Sequence, residues 1–150
     1  MTIRRAGVAD AAAITDVFVA SRNGAAPMIP RMRHTGAETR HWFETIVLVE
    51  QEVWVAEVDG AVAGIAVLRG DFLDHLYVRP GLQRHGVGTL LLRHARRQRP
   101  RGMRLYTFEA NEPARAFYEK HGFKAIAFGD GTGNEEGAPD VLYEWRGLIR

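Results

Sequence analysis

Glycines at positions 86 and 88, three and five residues after Gln83, form the part of this sequence with the clearest chemical meaning. They follow an apolar segment, residues 72–78, and open a segment, residues 87–95, whose apolar residues recur at helical spacing. A glycine turn that leads into a helix exposes several backbone N–H groups at the positive end of the helix dipole. Such a turn binds phosphate groups without a metal ion or a lysine.

Two common phosphate-binding loops do not fit this turn. A dinucleotide fingerprint needs a third glycine where Leu91 stands. A P-loop needs a lysine and then a serine or threonine where Val87 and Gly88 stand. The pattern Q/R-x-x-G-x-G/A fits at each of its fixed positions, through Gln83, Gly86 and Gly88.

A second segment, residues 111–123, reads N-x-x-A-x-x-F-Y-x-x-x-G-F. Together the two segments resemble the GNAT superfamily of N-acetyltransferases, in which the first motif holds the pyrophosphate of acetyl-CoA. The resemblance implies acetyl-CoA as the cosubstrate, an amine as the acceptor, direct transfer through a ternary complex and no metal. It also implies which residues bind the cosubstrate: Leu76, Tyr77, Val78, Gln83, Arg84, His85, Gly86, Val87, Gly88, Thr89, Asn111, Ala114 and Phe117.

The resemblance also implies roles in catalysis. Tyr118 stands where the family places the general acid that protonates the CoA thiolate; the alternative is an aromatic residue that only packs. For the general base, Asp74 is the first candidate, Glu109 the second and His75 the third, and a water molecule is the alternative. Strict alternation along a strand predicts that Asp74 points with Phe72 and Leu76, opposite to His75.

Composition limits the other possibilities. The 150 residues suit one domain spanning 1–150, and a net charge of +2, from 20 basic and 18 acidic residues, gives no general argument for nucleic acid. The absence of cysteine excludes disulfides and a cysteinyl acyl-enzyme, and the six histidines lack metal-ligand spacing. Because no apolar run approaches membrane-spanning length and the first residues do not resemble a signal peptide, we expect a cytoplasmic protein without a membrane partner.

The elements that must position these residues follow from periodicity and turn signals. The order is a strand, two helices, a hairpin extended by a third strand, a helix, a strand, a helix and two strands. Asp10 is predicted to cap the first helix, Thr35 and Glu38 to form a capping box for the second, and Asp59-Gly60 to turn the hairpin. This order predicts an α/β (α+β) sandwich with a mixed sheet. The resemblance adds a mostly antiparallel sheet whose middle strands, 72–78 and 103–109, splay apart.

Several alternatives stay open at this point. A CoA-binding module without transferase activity would carry the same two motifs. Arginines are concentrated near the end of the helix after the glycines, where they either form a solvated helix face or bind nucleic acid. A nucleic-acid-binding domain is therefore the second alternative function. The loop 129–140 carries Glu135, Glu136 and Asp140, and is either a polar hairpin or an acidic gate for a cationic amine. Open sheet edges would allow a homodimer.

Overall fold

A twisted sheet separates two layers of helices in the computed structural model, which describes residues 1–25, 32–83 and 85–148. Seven strands lie in these ranges: Thr2–Arg5 (β1), Glu52–Val58 (β2), Ala61–Arg69 (β3), Phe72–Val78 (β4), Met103–Phe108 (β5), Lys124–Gly129 (β6) and Asp140–Trp145 (β7). The α-helices are Ala11–Gly24 (α1), Gly36–Trp42 (α2), Leu48–Glu50 (α3), Val87–Gln98 (α4) and Glu112–Lys120 (α5). A π-helical stretch, Phe43–Val47, joins α2 to α3.

The strand order is β1-β2-β3-β4-β5-β7-β6, and every neighbouring pair is antiparallel except β4 and β5. This arrangement confirms the predicted α+β class and the mostly antiparallel sheet. Strands β4 and β5 pair at one position only, Phe72 opposite Arg104, and then separate. The predicted splay of the middle strands is therefore present, and it opens the sheet towards the carboxyl ends of both strands.

Local signals explain most element boundaries. Asp59 and Gly60 both adopt positive φ angles, of 52° and 77°, as a two-residue hairpin turn requires between β2 and β3. The side chain of Thr35 accepts a hydrogen bond from the N–H of Glu38, and the carboxylate of Glu38 accepts one from the N–H of Thr35. The predicted capping box at the start of α2 is thus confirmed.

The predicted cap at Asp10 is wrong in its chemistry. Its side chain makes no capping hydrogen bond to α1. The carboxylate instead accepts from the N–H of Gly7, which closes a short 3₁₀ turn before α1, and forms an ion pair with Arg4 at 2.7 Å. Asp10 therefore stands directly before the first residue of α1, but its carboxylate is occupied by partners on the strand side and does not cap the helix.

Each face of the sheet packs against its own helices. Helices α4 and α5 cover one face with a core that includes Leu91, Leu92 and Tyr118. On the other face, Ile14 of α1 and Phe43 of the π-helical stretch are among the buried residues. Gly64 on β3 lets α4 approach closely, because a Cβ there would lie 2.9 Å from side-chain atoms of both Leu91 and Val87. Close packing at this point fixes where the amino end of α4 meets the sheet.

Candidate active site

Where β4 and β5 separate, a cleft of about 170 Å³ opens in the sheet. We call it the strand cleft. Its walls come from β4, β5, the start of α5 and the β6–β7 loop: Leu73, Asp74, His75, Leu76, Tyr77, Tyr106, Thr107, Phe108, Asn111, Ala114, Tyr118, Asn134 and Asp140. The structure therefore brings together the backbone of β4, Asn111 and Tyr118, which lie far apart in sequence and were each predicted to contact acetyl-CoA or its sulfur.

The glycine turn leads into α4 as predicted. Gly86 adopts a left-handed conformation, with φ 81°, and its carbonyl accepts the N–H of Leu90. In the described part of the chain, no protein acceptor meets the N–H groups of Val87, Gly88 and Thr89. These N–H groups are the ones that a helix leaves without partners at its amino end, so they can donate to an anion.

The amino end of α4 lies beside the strand cleft. A Cβ on Gly88 would lie 3.5 Å from the Val78 side chain and 3.6 Å from the Phe117 ring, so this turn packs between β4 and α5. Gln83 and His85 are exposed on the turn. Arg84, also predicted to bind the cosubstrate, lies outside the described residues.

Asn111 and its neighbours form one wall of the strand cleft. The Asn111 side chain accepts the N–H of Ala114 at 3.3 Å, which caps α5 as predicted. Ala114 lines the cleft, and the Phe117 ring packs against Tyr118 and His121 with centroid separations of 5.3 and 4.5 Å. Capping by Asn111 fixes the start of the helix that presents Tyr118.

Tyr118 is 8% exposed and points its ring into the core between Phe117 and Phe123. Its hydroxyl has no hydrogen-bond partner among the described residues, although the residue lines the strand cleft. Burial, with a smaller contribution from the charge of an ionised Tyr77, raises the pKa of the Tyr118 phenol above its ordinary value. The phenol therefore stays protonated at neutral pH and has a proton to donate into the cleft.

Asp74 lies in a β-bulge, so the predicted alternation along β4 is wrong. Val67 pairs with His75 and Leu68 with Leu73, which leaves Asp74 without a partner residue on β3. Leu73 and Leu76 consequently pack on the same face of the sheet. The Asp74 carboxylate lines the strand cleft, and both of its oxygens accept from Arg69, at 2.7 and 3.2 Å.

The other two candidates for the general base occupy different places. The side chain of Glu109 is exposed and lines neither of the clefts described here. Its backbone N–H donates to Pro139, and its carbonyl accepts from Arg115. His75 lies on β4, lines the strand cleft and packs against Phe18 of α1.

A larger cleft of about 960 Å³ lies on the α1–α2 side of the sheet. We call it the helix cleft. Aromatic and apolar side chains dominate its walls, and cationic and acidic groups stand among them: Phe18, Arg22, Met32, Arg33, His34, Ala37, Glu38, Thr39, His41, Trp42, Thr45, Ile46, His75 and Glu135. The two clefts share His75, so the helix cleft gives a second approach to the place where β4 and β5 separate.

The acidic β6–β7 loop, residues 130–139, is tied to the helix cleft by its own charges. Glu135 contacts the His34 ring at 2.6 Å and accepts, through its carbonyl, from Arg33. Glu136 pairs with the buried guanidinium of Arg22 at 3.3 Å. The carboxylates at 135 and 136 thus have cationic or imidazole partners, and the loop forms part of the cleft wall.

The arginines near the end of α4 make specific contacts with the protein. Arg96 donates to the carbonyl of His121 and lies over the Trp145 ring. Arg99 donates to the carbonyl of Gly70 and pairs with Glu52, and Arg104 pairs with Glu144. These three arginines therefore hold α4 and β5 to their surroundings.

The described residues contain neither a metal-binding cluster nor a helix suited to cross a membrane. In residues 1–25, 32–83 and 85–148, no group of three or more His, Asp or Glu side chains is placed to hold a metal ion. No helix in those ranges combines the length and the apolar character needed to cross a membrane.

Comparison with known proteins agrees with this geometry. The family model described as acetyltransferase (GNAT) domain matches residues 50–125, which is about half of the chain and contains β2 to α5. The chain belongs to the GNAT acetyltransferase family. It is therefore an acyltransferase by family, and both of the motifs on which the resemblance was based lie within the matched segment.

Three relatives illustrate the similarity within the GNAT family. The chain is 28% identical to peptidyl-lysine N-acetyltransferase YiaC of Escherichia coli K12 over 131 residues, covering 83% of this chain and 84% of YiaC. The solution structure of apo YjaB from Escherichia coli superposes with a TM-score of 0.75 at 26% identity, covering 97% of both chains. The structure of YncA from Salmonella typhimurium, solved with acetyl-CoA, superposes with a TM-score of 0.73 at 25% identity, covering all of this chain and 95% of YncA.

Sequence reasoning missed one element of this GNAT site entirely. Arg22 was not among the predicted site residues, yet its buried guanidinium lies between the rings of Phe18 and Phe108, each 5.9 Å away, and lines the helix cleft. An arginine four residues after Phe18 on the apolar face of a helix was the available signal. Its partner Glu136 lies 114 residues away, which no local pattern indicates.

Proposed function

We propose that this GNAT protein transfers the acetyl group of acetyl-CoA directly to a primary amine. The observation that carries the proposal is the strand cleft, because it is lined by Tyr118, whose hydroxyl has no partner among the described residues, and lies beside the amino end of α4, whose first N–H groups lack an acceptor among those residues. The turn suits a pyrophosphate, and the separated edges of β4 and β5 offer backbone groups to the amides of a pantetheine arm. Direct transfer is the simpler route, since the chain has no cysteine to form an acyl-enzyme.

In this proposal the glycine turn and the strand cleft have separate roles. The N–H groups of residues 87–89 bind the pyrophosphate, and the β4 backbone at 76–78 holds and orients the acetyl group. Tyr118 gives its proton to the sulfur as the C–S bond breaks. The relative solved with acetyl-CoA and another solved with coenzyme A, PaiA of Thermoplasma acidophilum, support this cosubstrate for the fold.

The acceptor enters, in this proposal, through the helix cleft. A cleft that carries aromatic rings such as Phe18 and Trp42 suits an alkyl chain that ends in an amine, through apolar contact and cation–π attraction. Because YiaC and YjaB carry the name peptidyl-lysine N-acetyltransferase, a lysine side chain in a peptide is the acceptor to test first. Small amines, amino acid derivatives and protein amino termini belong in the same panel.

The test is an acetyl-CoA-dependent thiol-release screen on the purified chain. The panel contains terminally blocked lysine peptides, free amino acids, arylalkylamines and unblocked peptides, and mass spectrometry checks that the acetyl group has reached the acceptor. We expect release that depends on an amine and saturates with it. Calorimetric binding of acetyl-CoA without release by any amine would favour the CoA-binding module. Salt-dependent binding of DNA in place of acetyl-CoA would favour the nucleic-acid-binding alternative.

A further inference from the structure

His75 is the one described residue that lines both the strand cleft and the helix cleft. Its ring is held edge-on by Phe18 and Trp42, with centroid separations of 5.4 and 5.6 Å, and lies 5.9 Å from the ring of Tyr77. Neither ring nitrogen has a hydrogen-bond partner among the described residues. A fixed imidazole thus has both nitrogens available where the two clefts meet.

We propose that His75 is the general base that takes a proton from the attacking amine. The proposal rests on the proposed function, since it needs the acetyl group in the strand cleft and the amine in the helix cleft. The amine nitrogen bonds to the acetyl carbon, the carbonyl π pair moves to oxygen, and the N–H proton passes to the unprotonated nitrogen of His75. The carbonyl then re-forms, the sulfur leaves with its bonding pair, and it takes the Tyr118 proton. Solvent returns the proton from His75 to Tyr118.

The carboxylates near the two clefts are less well placed for this step. Both oxygens of Asp74 are held by Arg69, and Glu109 lines neither cleft. Glu38 caps the start of α2, Glu135 contacts His34, and Asp140 accepts from the side-chain amide of Asn134 at 3.2 Å. His75 alone combines a place in both clefts with nitrogens that have no competing partner among the described residues.

The surroundings of His75 keep its lone pair available at neutral pH. Burial, the largest cause, lowers the pKa of His75 to about 4; the Arg22 guanidinium of α1 acts in the same direction, and the neighbouring Asp74 carboxylate opposes both. A neutral imidazole accepts a proton. Since the amine nitrogen becomes much more acidic once it bonds to the acetyl carbon, a weak base is sufficient at that stage.

The test compares two substitutions and two acceptors. His75→Phe keeps a ring against Phe18 and Trp42 but has no lone pair. The matched control is His94→Phe, because His94 also packs against an aromatic ring, Trp54 at 4.2 Å, and lines neither cleft. The acceptors are a terminally blocked lysine peptide and aniline, a weakly basic amine that is neutral at pH 7. Calorimetry checks that each variant binds acetyl-CoA like the unmodified protein.

We expect His75→Phe to lower kcat/KM for the lysine peptide on the order of 10²-fold, as loss of an acid–base catalyst does. The loss for aniline is expected to be much smaller, because its nitrogen, once bonded to the acetyl carbon, is acidic enough to give its proton to water. His94→Phe leaves both values unchanged. If His75 had a purely structural role, the substitution would lower kcat/KM equally for both acceptors, and that result would overturn the assignment.

A second variant covers the case in which His75→Phe does not fold. His75→Ala leaves space for free imidazole, and added imidazole is expected to restore thiol release with the lysine peptide. Failure of rescue in a folded variant that binds acetyl-CoA would overturn the assignment and leave the proposed function intact. If the unmodified protein binds acetyl-CoA but acetylates neither amine, the proposed function fails and the role of His75 fails with it.

Discussion

At the residue scale, two buried tyrosines on neighbouring elements differ in what their hydroxyls contact. Tyr118 on α5 lines the strand cleft, and its hydroxyl has no partner among the described residues. Tyr143 on β7 is fully buried, donates to Glu119 at 2.5 Å and accepts from Arg115 at 3.0 Å. An unpartnered polar group costs stability in a folded protein, whereas a bonded one contributes to it. The contrast is the one expected if, as proposed, the hydroxyl of Tyr118 takes part in the reaction and that of Tyr143 stabilises the fold.

Substitution of each tyrosine by phenylalanine separates these roles. Tyr118→Phe is expected to lower kcat on the order of 10²-fold, to leave acetyl-CoA affinity unchanged and to cost little stability. Tyr143→Phe is expected to lower the free energy of unfolding by about 1 kcal/mol and to leave turnover unchanged. Urea unfolding and steady-state kinetics measure the two effects. Equal turnover in Tyr118→Phe and the unmodified protein, with chemistry shown to be rate-limiting, would mean that Tyr118 only packs.

At the element scale, the turn before α4 and the turn between β2 and β3 each place a glycine in the left-handed region. Gly86 has φ 81° and Gly60 has φ 77°, and a Cβ added to either glycine would meet no atom of the described residues within 4 Å. Substitution therefore imposes a similar backbone strain at both sites. Only Gly86 adjoins the amino end of α4, whose first N–H groups have no acceptor among the described residues, so the two positions form a matched pair.

Gly86→Val and Gly60→Val are each expected to lower the free energy of unfolding by on the order of 1–3 kcal/mol, because valine disfavours positive φ. Only Gly86→Val is expected to weaken acetyl-CoA binding, since it disturbs the N–H groups that would hold the pyrophosphate. Calorimetry with acetyl-CoA on both folded variants measures the difference. Equal affinities would remove the glycine turn from the binding site.

The same elements show what the sequence could and could not predict. The capping box at Thr35 and the hairpin turn at Asp59-Gly60 depend on residues within a few positions of each other, so local rules predicted them. The bulge at Asp74 depends on how β3 pairs with β4, and the alternation rule therefore failed there. The pairing of Arg22 with Glu136 depends on the whole fold, because it joins α1 to the β6–β7 loop. The motif residues around Gly86 and Tyr118 were predictable because their spacing resembles that of a known family.

At the scale of the whole molecule, the sheet separates the two clefts except where β4 and β5 part, and His75 lies at that opening. A reaction that brings a donor from one side and an acceptor from the other needs such an opening through the core. The arrangement buries an ionisable ring among Phe18, Trp42 and Tyr77. Burial of a neutral imidazole in the folded state ties global stability to pH.

Stability is therefore expected to fall in acid partly through His75. Its pKa is about 4 in the folded protein against an ordinary 6.5, so between these values the unfolded chain binds the proton more readily than the folded one. The stability that neutral His75 contributes is fully present above pH 6.5 and is lost as the pH falls towards 4. The loss in free energy of unfolding is at most about 2 kcal/mol by pH 5. Urea unfolding at pH 7 and pH 5 measures this loss. Between these two pH values, the free energy of unfolding of His75→Phe is expected to fall by about 2 kcal/mol less than that of the unmodified protein, because the other titrating groups are common to both proteins. Parallel declines in the two proteins would show that His75 is free to protonate in the fold, and the neutral base proposed for the reaction would then lack its physical support.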